Sequence, residues 1–268
     1  MKRLLAILFA VVMVFTLTAC GEGEENSGGI QTTEKADTVT IHIPKTITMT
    51  LSGDPQDMVI GPAEYTYEDG WQTKDSFTVT YTLPVEGMHQ TVTTTISQKK
   101  VTTKITAQDK ETSSSEVIHN EQGKVASQVT YTAAEQVEKT ENKYTYDEKG
   151  RILVYENIIY YTDMEPVSVK QAFTITETAD GSVGVYQTGG IEYRYTYDAD
   201  YRLVSNVTTA GGQELMRIEY TYDTFGNMLT QTQTTAGGEG ASVQIVTTYT
   251  YEAVEVSPEK AAQLNWWK

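Results

Sequence analysis

The chain has 268 residues, of which 36 are acidic and 20 basic, giving a formal net charge of −16 at pH 7. Surplus negative charge repels the phosphates of nucleic acid and the headgroups of anionic lipids, so the composition argues against nucleic-acid partners. With a single cysteine, Cys20, the sequence predicts no intramolecular disulfide and no cysteine-based metal site.

The first residues carry the pattern of an export signal. Residues 1–3 contain two basic side chains, and residues 4–17 follow without a charge. These fourteen residues suit the apolar part of a signal peptide and fall short of the about 20 that a transmembrane helix needs. Residues 1–19 are therefore predicted to be a signal peptide.

Leu17, Thr18, Ala19 and Cys20 come next, and this motif resembles the lipobox of bacterial lipoproteins. The resemblance implies cleavage between Ala19 and Cys20 and a diacylglyceryl group on the Cys20 sulfur. It predicts a cell-membrane lipid anchor that holds the protein on the extracytoplasmic side. The alternative is an ordinary signal peptide, or a buried helix, with a chance cysteine.

The chain after the anchor divides into three further segments. Residues 20–37 are rich in glycine and glutamate and are predicted to be a flexible tether. Residues 38–256 are predicted to form one antiparallel β domain, and residues 257–268 a short C-terminal helix. Loss of the two basic residues of the signal leaves 18 basic against 36 acidic side chains, a net charge of −18.

Composition and an internal repeat both predict an all-β fold. Tyrosine (18 residues) outnumbers phenylalanine (5) and tryptophan (3), and tyrosine and threonine favour half-buried strands. A Tyr-Thr-Tyr-Asp unit followed by a turn starts at residue 144 and recurs at 195 and 220. Weaker copies occupy residues 65–70 and 249–252.

Each unit predicts a β-hairpin. Tyr193, Tyr195 and Tyr197 alternate with polar residues and so share one face of a strand. The aspartate can accept hydrogen bonds from the following backbone N–H groups, and a glycine three residues later can adopt a left-handed conformation. Gly-Gly pairs such as residues 211–212 turn the chain again.

This Tyr-x-Tyr-Asp-x-x-Gly-Arg-Leu pattern resembles the YD repeat, also called the RHS repeat, of bacterial surface and toxin proteins. The resemblance covers residues 143–252 and departs from the pattern at Tyr201, which replaces the glycine. It implies an extracytoplasmic location and a long, twisted antiparallel β-hairpin meander. Four or five copies are too few to enclose a toxin. We expect one continuous sheet followed by the short helix.

The remaining sequence fits the same architecture. Residues 77–83, 92–96 and 101–105 alternate as strands, and residues 120–124 predict another turn. Ser257, Pro258 and Glu259 are typical of a helix start. Leu264, Trp266 and Trp267 are expected to pack against one end of the sheet. An exposed tryptophan pair that grips a ligand is the alternative.

No catalytic constellation is recognisable. His42, His89 and His119 lack ligand spacing, so no metal and no cofactor are predicted. Asp147, Asp198 and Asp223 are explained by the turns that they begin, although calcium binding by these acidic turns remains open. Nucleophile-elbow, phosphate-loop and dinucleotide motifs are absent from the sequence.

The sequence therefore predicts a non-enzymatic, lipid-anchored extracytoplasmic protein with a structural or interaction role at the cell envelope. Its predicted partners are the membrane, through the lipid on Cys20, and an envelope protein or glycan. The alternative is a carbohydrate-binding module in which aromatic faces stack on sugars. Its candidate residues are Tyr193, Tyr195, Tyr220, Tyr222, Trp266 and Trp267.

Overall fold

The computed structural model describes residues 38–53, 57–85, 88–132, 137–236 and 242–264. The predicted signal peptide, Ala19, Cys20 and the tether lie outside these ranges, and so do Trp266 and Trp267.

Almost every described segment is a β-strand. The strands are β1 Val39–Ser52, β2 Met58–Glu64, β3 Thr66–Tyr67, β4 Ser76–Val85, β5 Met88–Ser97, β6 Lys100–Ala107, β7 Lys110–His119, β8 Val125–Thr132, β9 Val137–Tyr146, β10 Ile152–Tyr161, β11 Val167–Ala172, β12 Thr174–Thr178, β13 Gly181–Thr188, β14 Ile191–Tyr197, β15 Leu203–Ala210, β16 Gln213–Tyr222, β17 Met228–Ala236 and β18 Ser242–Val256. A 3-10 turn covers Trp71–Thr73, and one helix, α1, covers Pro258–Leu264.

The strands form two nine-stranded antiparallel sheets. One sheet contains β3 to β11 in chain order, and the other runs from β12 to β18 and then continues through β1 and β2. The predicted all-β antiparallel hairpin meander with a short C-terminal helix is confirmed. The expectation of one continuous sheet is wrong, because the chain changes its pairing partners at two corners.

Each corner is a single residue. Tyr65 joins β2 to β3 and donates its backbone N–H to the Lys45 carbonyl at 2.9 Å. Phe173 joins β11 to β12 and donates its N–H to the Leu153 carbonyl at 2.8 Å. The first and last strands also pair, from Val39 opposite Val256 onward, so both ends of the β region lie in the same sheet.

The two sheets face each other across one hydrophobic core. The Phe173 and Tyr195 rings stack with their centroids 4.6 Å apart. Between the sheets, the Ile152 backbone N–H donates to the Tyr197 hydroxyl at 3.0 Å. Burial of each large apolar side chain contributes about 1.5–3 kcal/mol to stability. The most deeply buried of these are Phe77, Ile47, Met49, Ile60, Leu83, Ile96, Val79, Val92 and Val117.

Helix α1 covers one end of the sandwich. Ser257 caps it, because its Oγ accepts the Lys260 N–H at 3.2 Å. The Lys260 ammonium donates to the Lys74 carbonyl at 2.6 Å and lies 4.3 Å from the centre of the Phe77 ring. Leu264 is buried, as the sequence predicts.

Candidate functional site

In each aspartate turn, the aspartate carboxylate accepts hydrogen bonds from the turn itself. Asp223 Oδ1 accepts the N–H groups of Phe225 and Asn227, each at 2.8 Å, and its Oδ2 accepts the Asn227 side-chain amide at 2.8 Å. The Gly226 N–H closes the turn on the Asp223 carbonyl at 3.1 Å, and Gly226 has a φ of 81°. This is the predicted hairpin closure with a glycine in the left-handed region.

Three other turns repeat this geometry. Asp147 and Asp198 each accept two backbone N–H groups on Oδ1 and an arginine Nε on Oδ2, and Asn120 Oδ1 accepts two N–H groups. Tyr201 fills the left-handed position with a φ of 59°, although it carries a side chain. Because both carboxylate oxygens are engaged, these aspartates offer a metal ion little coordination. Within the described ranges no group of three or more His, Cys, Asp or Glu side chains is placed to hold a metal.

The second tyrosine of the repeat binds the preceding hairpin. The hydroxyls of Tyr146, Tyr222 and Tyr251 donate to the backbone carbonyls of Val125, Leu203 and Met228, at 2.8, 2.8 and 2.7 Å. Each acceptor lies five residues after the Asp or Asn that begins the previous turn. We call these contacts the tyrosine staples. They give the repeated tyrosines a scaffold role.

Two of the four described tyrosines of the predicted aromatic face lie inside the core. Tyr195 is 8% exposed and Tyr220 is 6% exposed, and burial raises the pKa of both phenols above the ordinary value. A ring enclosed between two sheets cannot stack on a sugar, so these two residues are core residues. Tyr222 is half-buried and held by its staple. Tyr193 is half-buried, with its ring centroid 6.1 Å from that of Tyr186.

Side-chain burial decreases toward the end of the sandwich opposite the aspartate turns. Along β14 the inward side chains change from buried at Tyr197 and Tyr195 to half-buried at Tyr193. On the facing sheet, inward Val169 of β11 is 46% exposed although its register partner Asn157 faces the interior. We name this part of the interior the amide end and define it by Asn142, Asn157, Val169, Tyr193, Asn206 and Gln233.

Several amide side chains of the amide end lie together on the inner face of one sheet. Asn206 and Gln233 flank Ile218 in register, and Gln231 lies directly opposite Tyr220. The Asn206 Oδ1, Tyr220 hydroxyl, Gln231 Oε1 and Gln233 Oε1 atoms are all buried and have no hydrogen-bond partner among the described residues. Buried polar atoms are nearly always paired, so four such atoms on one face require an explanation.

On the facing sheet the amides are bonded to one another. Asn142 Oδ1 accepts the Tyr155 hydroxyl at 2.9 Å and the Asn157 Nδ2 group at 2.8 Å. Burial raises the pKa of the Tyr155 phenol above its ordinary value.

Sequence reasoning missed these amides because bulges change the alternation of side chains. Thr196 pairs with Ser205 while the next pair is Tyr197 with Leu203, so Val204 is an extra residue in β15. The extra residue turns Asn206 inward, opposite Tyr195, and turns Val207 outward. The repeated Asp-x-x-Gly turn, which generates such a bulge, was the available signal.

The histidines lie in different places. His42 is in β1, His89 is exposed in β5, and His119 is buried at the end of β7. His119 Nδ1 lies 3.3 Å from the Lys99 carbonyl oxygen, and burial lowers the pKa of the ring. His119 occupies the position that the staple tyrosine has in other repeats.

No helix in the described segments is long and apolar enough to cross a membrane.

The chain is only distantly similar to the solved structures that it matches. No protein-family model matches the chain, and no curated protein matches it. A porin-like protein from Bacteroides uniformis is 12% identical, with a TM-score of 0.40 over 78% of this chain and 98% of that one. A domain of a putative outer membrane lipoprotein-sorting protein from Vibrio parahaemolyticus is 10% identical, with a TM-score of 0.30 over 87% and 93%.

Proposed function

We propose that this chain is a non-enzymatic, lipid-anchored protein of the extracytoplasmic face of the membrane, with a structural or interaction role at the cell envelope. The observation that carries the proposal is that the carboxylates and hydroxyls of the repeat form hydrogen bonds within the fold. The turn carboxylates of Asp147, Asp198 and Asp223 and the staple hydroxyls are engaged in hydrogen bonds of the scaffold. A side chain that holds the backbone in this way is not available as an acid, base or nucleophile.

The lipobox predicts the location of the protein at the membrane. Thioether-linked diacylglycerol gives two acyl chains, and two chains anchor stably where a single one binds only marginally. The tether of residues 20–37 then holds the sandwich away from the bilayer. The YD-like repeats of residues 143–252 contribute successive hairpins to this sandwich.

The anchor is tested by Cys20→Ala in the native host. We expect loss of membrane retention and of labelling by a fatty-acid probe, because the thiol that carries the lipid is gone. Thr18→Ala keeps a small residue in the lipobox and serves as the matched control, with retention and labelling unchanged. Retention and labelling of the Cys20→Ala chain at the control level would contradict the proposal.

A further inference from the structure

We infer that the sandwich is hinged, so that its aspartate-turn end stays closed while the two sheets separate transiently at the amide end. The inference concerns a movement of the fold and goes beyond the proposed envelope role. It rests on two observations. The bonds that join the sheets at the aspartate-turn end have no counterpart in the bonding of the amides, and polar atoms are buried without a partner at the amide end.

Bonds between the sheets hold the aspartate-turn end together. The Ile152 backbone N–H donates to the Tyr197 hydroxyl at 3.0 Å, and Arg151 Nη1 lies 2.6 Å from Glu177 Oε1. In each pair the first residue lies at the start of β10 and the second lies in the opposite sheet. Both contacts therefore oppose separation of the sheets at this end.

Helix α1 adds two more bonds at the same end. It follows β18 of one sheet, and its side chains contact the segment that precedes β4 of the other sheet. The Lys260 ammonium donates to the Lys74 carbonyl and the Gln263 amide donates to the Asp75 carbonyl, each at 2.6 Å. Separation at the aspartate-turn end would have to break all of these contacts together.

The amide end carries a free-energy cost in the closed form. The Oδ1 atom of Asn206 and the Oε1 atoms of Gln233 and its neighbour Gln231 are buried and have no partner among the described residues. A buried acceptor without a donor loses its hydration and gains no bond in return, whereas water hydrates it once the sheets separate. Opening at this end therefore recovers free energy that the closed form loses.

The facing sheet does little to offset that cost. Asn142 Oδ1 accepts the Tyr155 hydroxyl and the Asn157 amide, and these bonds lie within one sheet, so separation leaves them intact. The inner side chains of Val167 and Val169 are 48% and 46% exposed, so they bury little apolar area that would oppose separation. The backbone ladders also lie within each sheet, so the movement is a hinge and not unfolding.

Two serine-to-cysteine variants of the full chain test the inference. Ser113→Cys places a thiol opposite Ile105 on the inner face of β7, near the tip of its hairpin, and Ser182→Cys places one opposite Tyr197, near the aspartate turns. The serines are 7% and 0% exposed, so both thiols are enclosed in the closed form. Labelling by N-ethylmaleimide in native buffer, measured by mass spectrometry, should be at least about tenfold faster at position 113.

Two controls accompany the labelling. The chain without an introduced cysteine gives the background, including any reaction of Cys20. Thr130→Cys repeats the measurement at a second inner position, which is 4% exposed and lies near the amide end of β8. Circular dichroism confirms that each variant is folded, so the inference is testable even where one of the substitutions disrupts the sheet.

A further variant tests the physical cause. Gln231→Met removes an unpaired buried acceptor at nearly constant volume, so it should stabilise the closed form and slow labelling at position 113 by about tenfold. The matched control is Gln244→Met, which changes an exposed glutamine on the outer face of the neighbouring strand. It should leave the labelling rate unchanged.

Equal labelling rates at positions 113 and 182 would overturn the inference. Labelling at position 113 only at the urea concentration that unfolds the whole protein would overturn it too, and so would unchanged or faster labelling with Gln231→Met. None of these results bears on the Cys20 anchor experiment, so failure of the hinge and failure of the proposed function are distinguishable.

Discussion

The second position of the Tyr-x-Tyr unit requires a hydroxyl as well as a ring. In Tyr222 the ring packs beside the Arg202 guanidinium, whose carbon lies 5.2 Å from the ring centroid, and the hydroxyl reaches the Leu203 carbonyl. Leu203 adjoins a bulge, where the regular ladder of backbone hydrogen bonds is interrupted. A phenylalanine would fill the same volume but would leave that carbonyl without its donor.

Tyr222→Phe should therefore reduce the free energy of unfolding by about 1–3 kcal/mol, the cost of an unpaired buried acceptor. Urea denaturation followed by circular dichroism measures it. Tyr131→Phe is the matched control, because Tyr131 is 43% exposed and water can replace its contacts. Its loss should stay below about 0.5 kcal/mol. Equal losses of unfolding free energy in the two variants would show that the tyrosine staple of Tyr222 does not stabilise the fold.

At the scale of the element, the Asp-x-x-Gly turn depends on one residue with a left-handed backbone conformation. Gly226 adopts a φ of 81°, and a Cβ built on it meets nothing within 4 Å. A side chain there is opposed by backbone strain alone. Tyr201 tolerates the same region because its ring contacts the neighbouring turn, with the Lys149 ammonium 4.7 Å from its centroid. The repeat can thus lose its glycine where a tertiary contact compensates.

Gly226→Ala should cost about 1–2 kcal/mol of unfolding free energy, the penalty of a left-handed conformation for an ordinary residue. Gly226→Asn should cost clearly less, since asparagine visits this region more readily. The midpoints of urea denaturation of the two variants and the wild type provide the comparison. An alanine variant as stable as the wild type would show that the turn can adopt another backbone.

Elements join into sheets at positions where the backbone leaves no room for a side chain. Gly181 begins β13 beside the end of β14, and a Cβ there would lie 2.0 Å from the Tyr197 carbonyl oxygen. The same region carries an ion pair between the sheets, in which Arg151 Nη1 lies 2.6 Å from Glu177 Oε1. Close approach and paired charge together hold the Asp147 turn against β12.

At the scale of the whole molecule, the two sheets enclose a layer of tyrosines. Tyr81, Tyr195 and Tyr220 are buried, and burial raises their pKa well above the ordinary value of about 10. Unfolded tyrosines lose their protons first as the pH rises. The unfolded state therefore binds fewer protons than the native state above about pH 10, and stability falls from that pH upward.

Alkaline titration should consequently show two phases in the phenolate absorbance. Exposed tyrosines should ionise gradually near pH 10, and the enclosed ones should ionise together in a steep step at higher pH. The step should coincide with loss of the β signal in circular dichroism, because the layer is exposed by global unfolding. A single smooth ionisation near pH 10 with the sheets intact would show that the layer is open to solvent.

Local sequence rules predict the hairpins because the residues that form each turn lie within a few positions of one another. The turn at Asp223 requires an aspartate and a glycine three residues apart, and both are visible in the sequence. The turn at Asn120 was predicted in the same way and is confirmed. The cap at Ser257 is likewise a short-range pattern. The lipobox at Cys20 remains a prediction that only the anchor experiment tests.

Other features depend on contacts that no short segment specifies. The predicted single sheet fails because Tyr65 and Phe173, ordinary in sequence, end their pairing with one sheet and begin it with the other. The predicted sugar-stacking face fails in part because the second sheet covers Tyr195 and Tyr220.

By itself the sequence determines the all-β class, the hairpin turns and the short helix, since hydrogen-bonding side chains and left-handed positions act within a few residues. Only the tertiary structure decides which face of each strand is inside. One bulge residue such as Val204 reverses the alternation, and the burial of a ring or an amide depends on the sheet that packs over it. Asn206 and Gln233 lie on the inner face of their sheet for that reason.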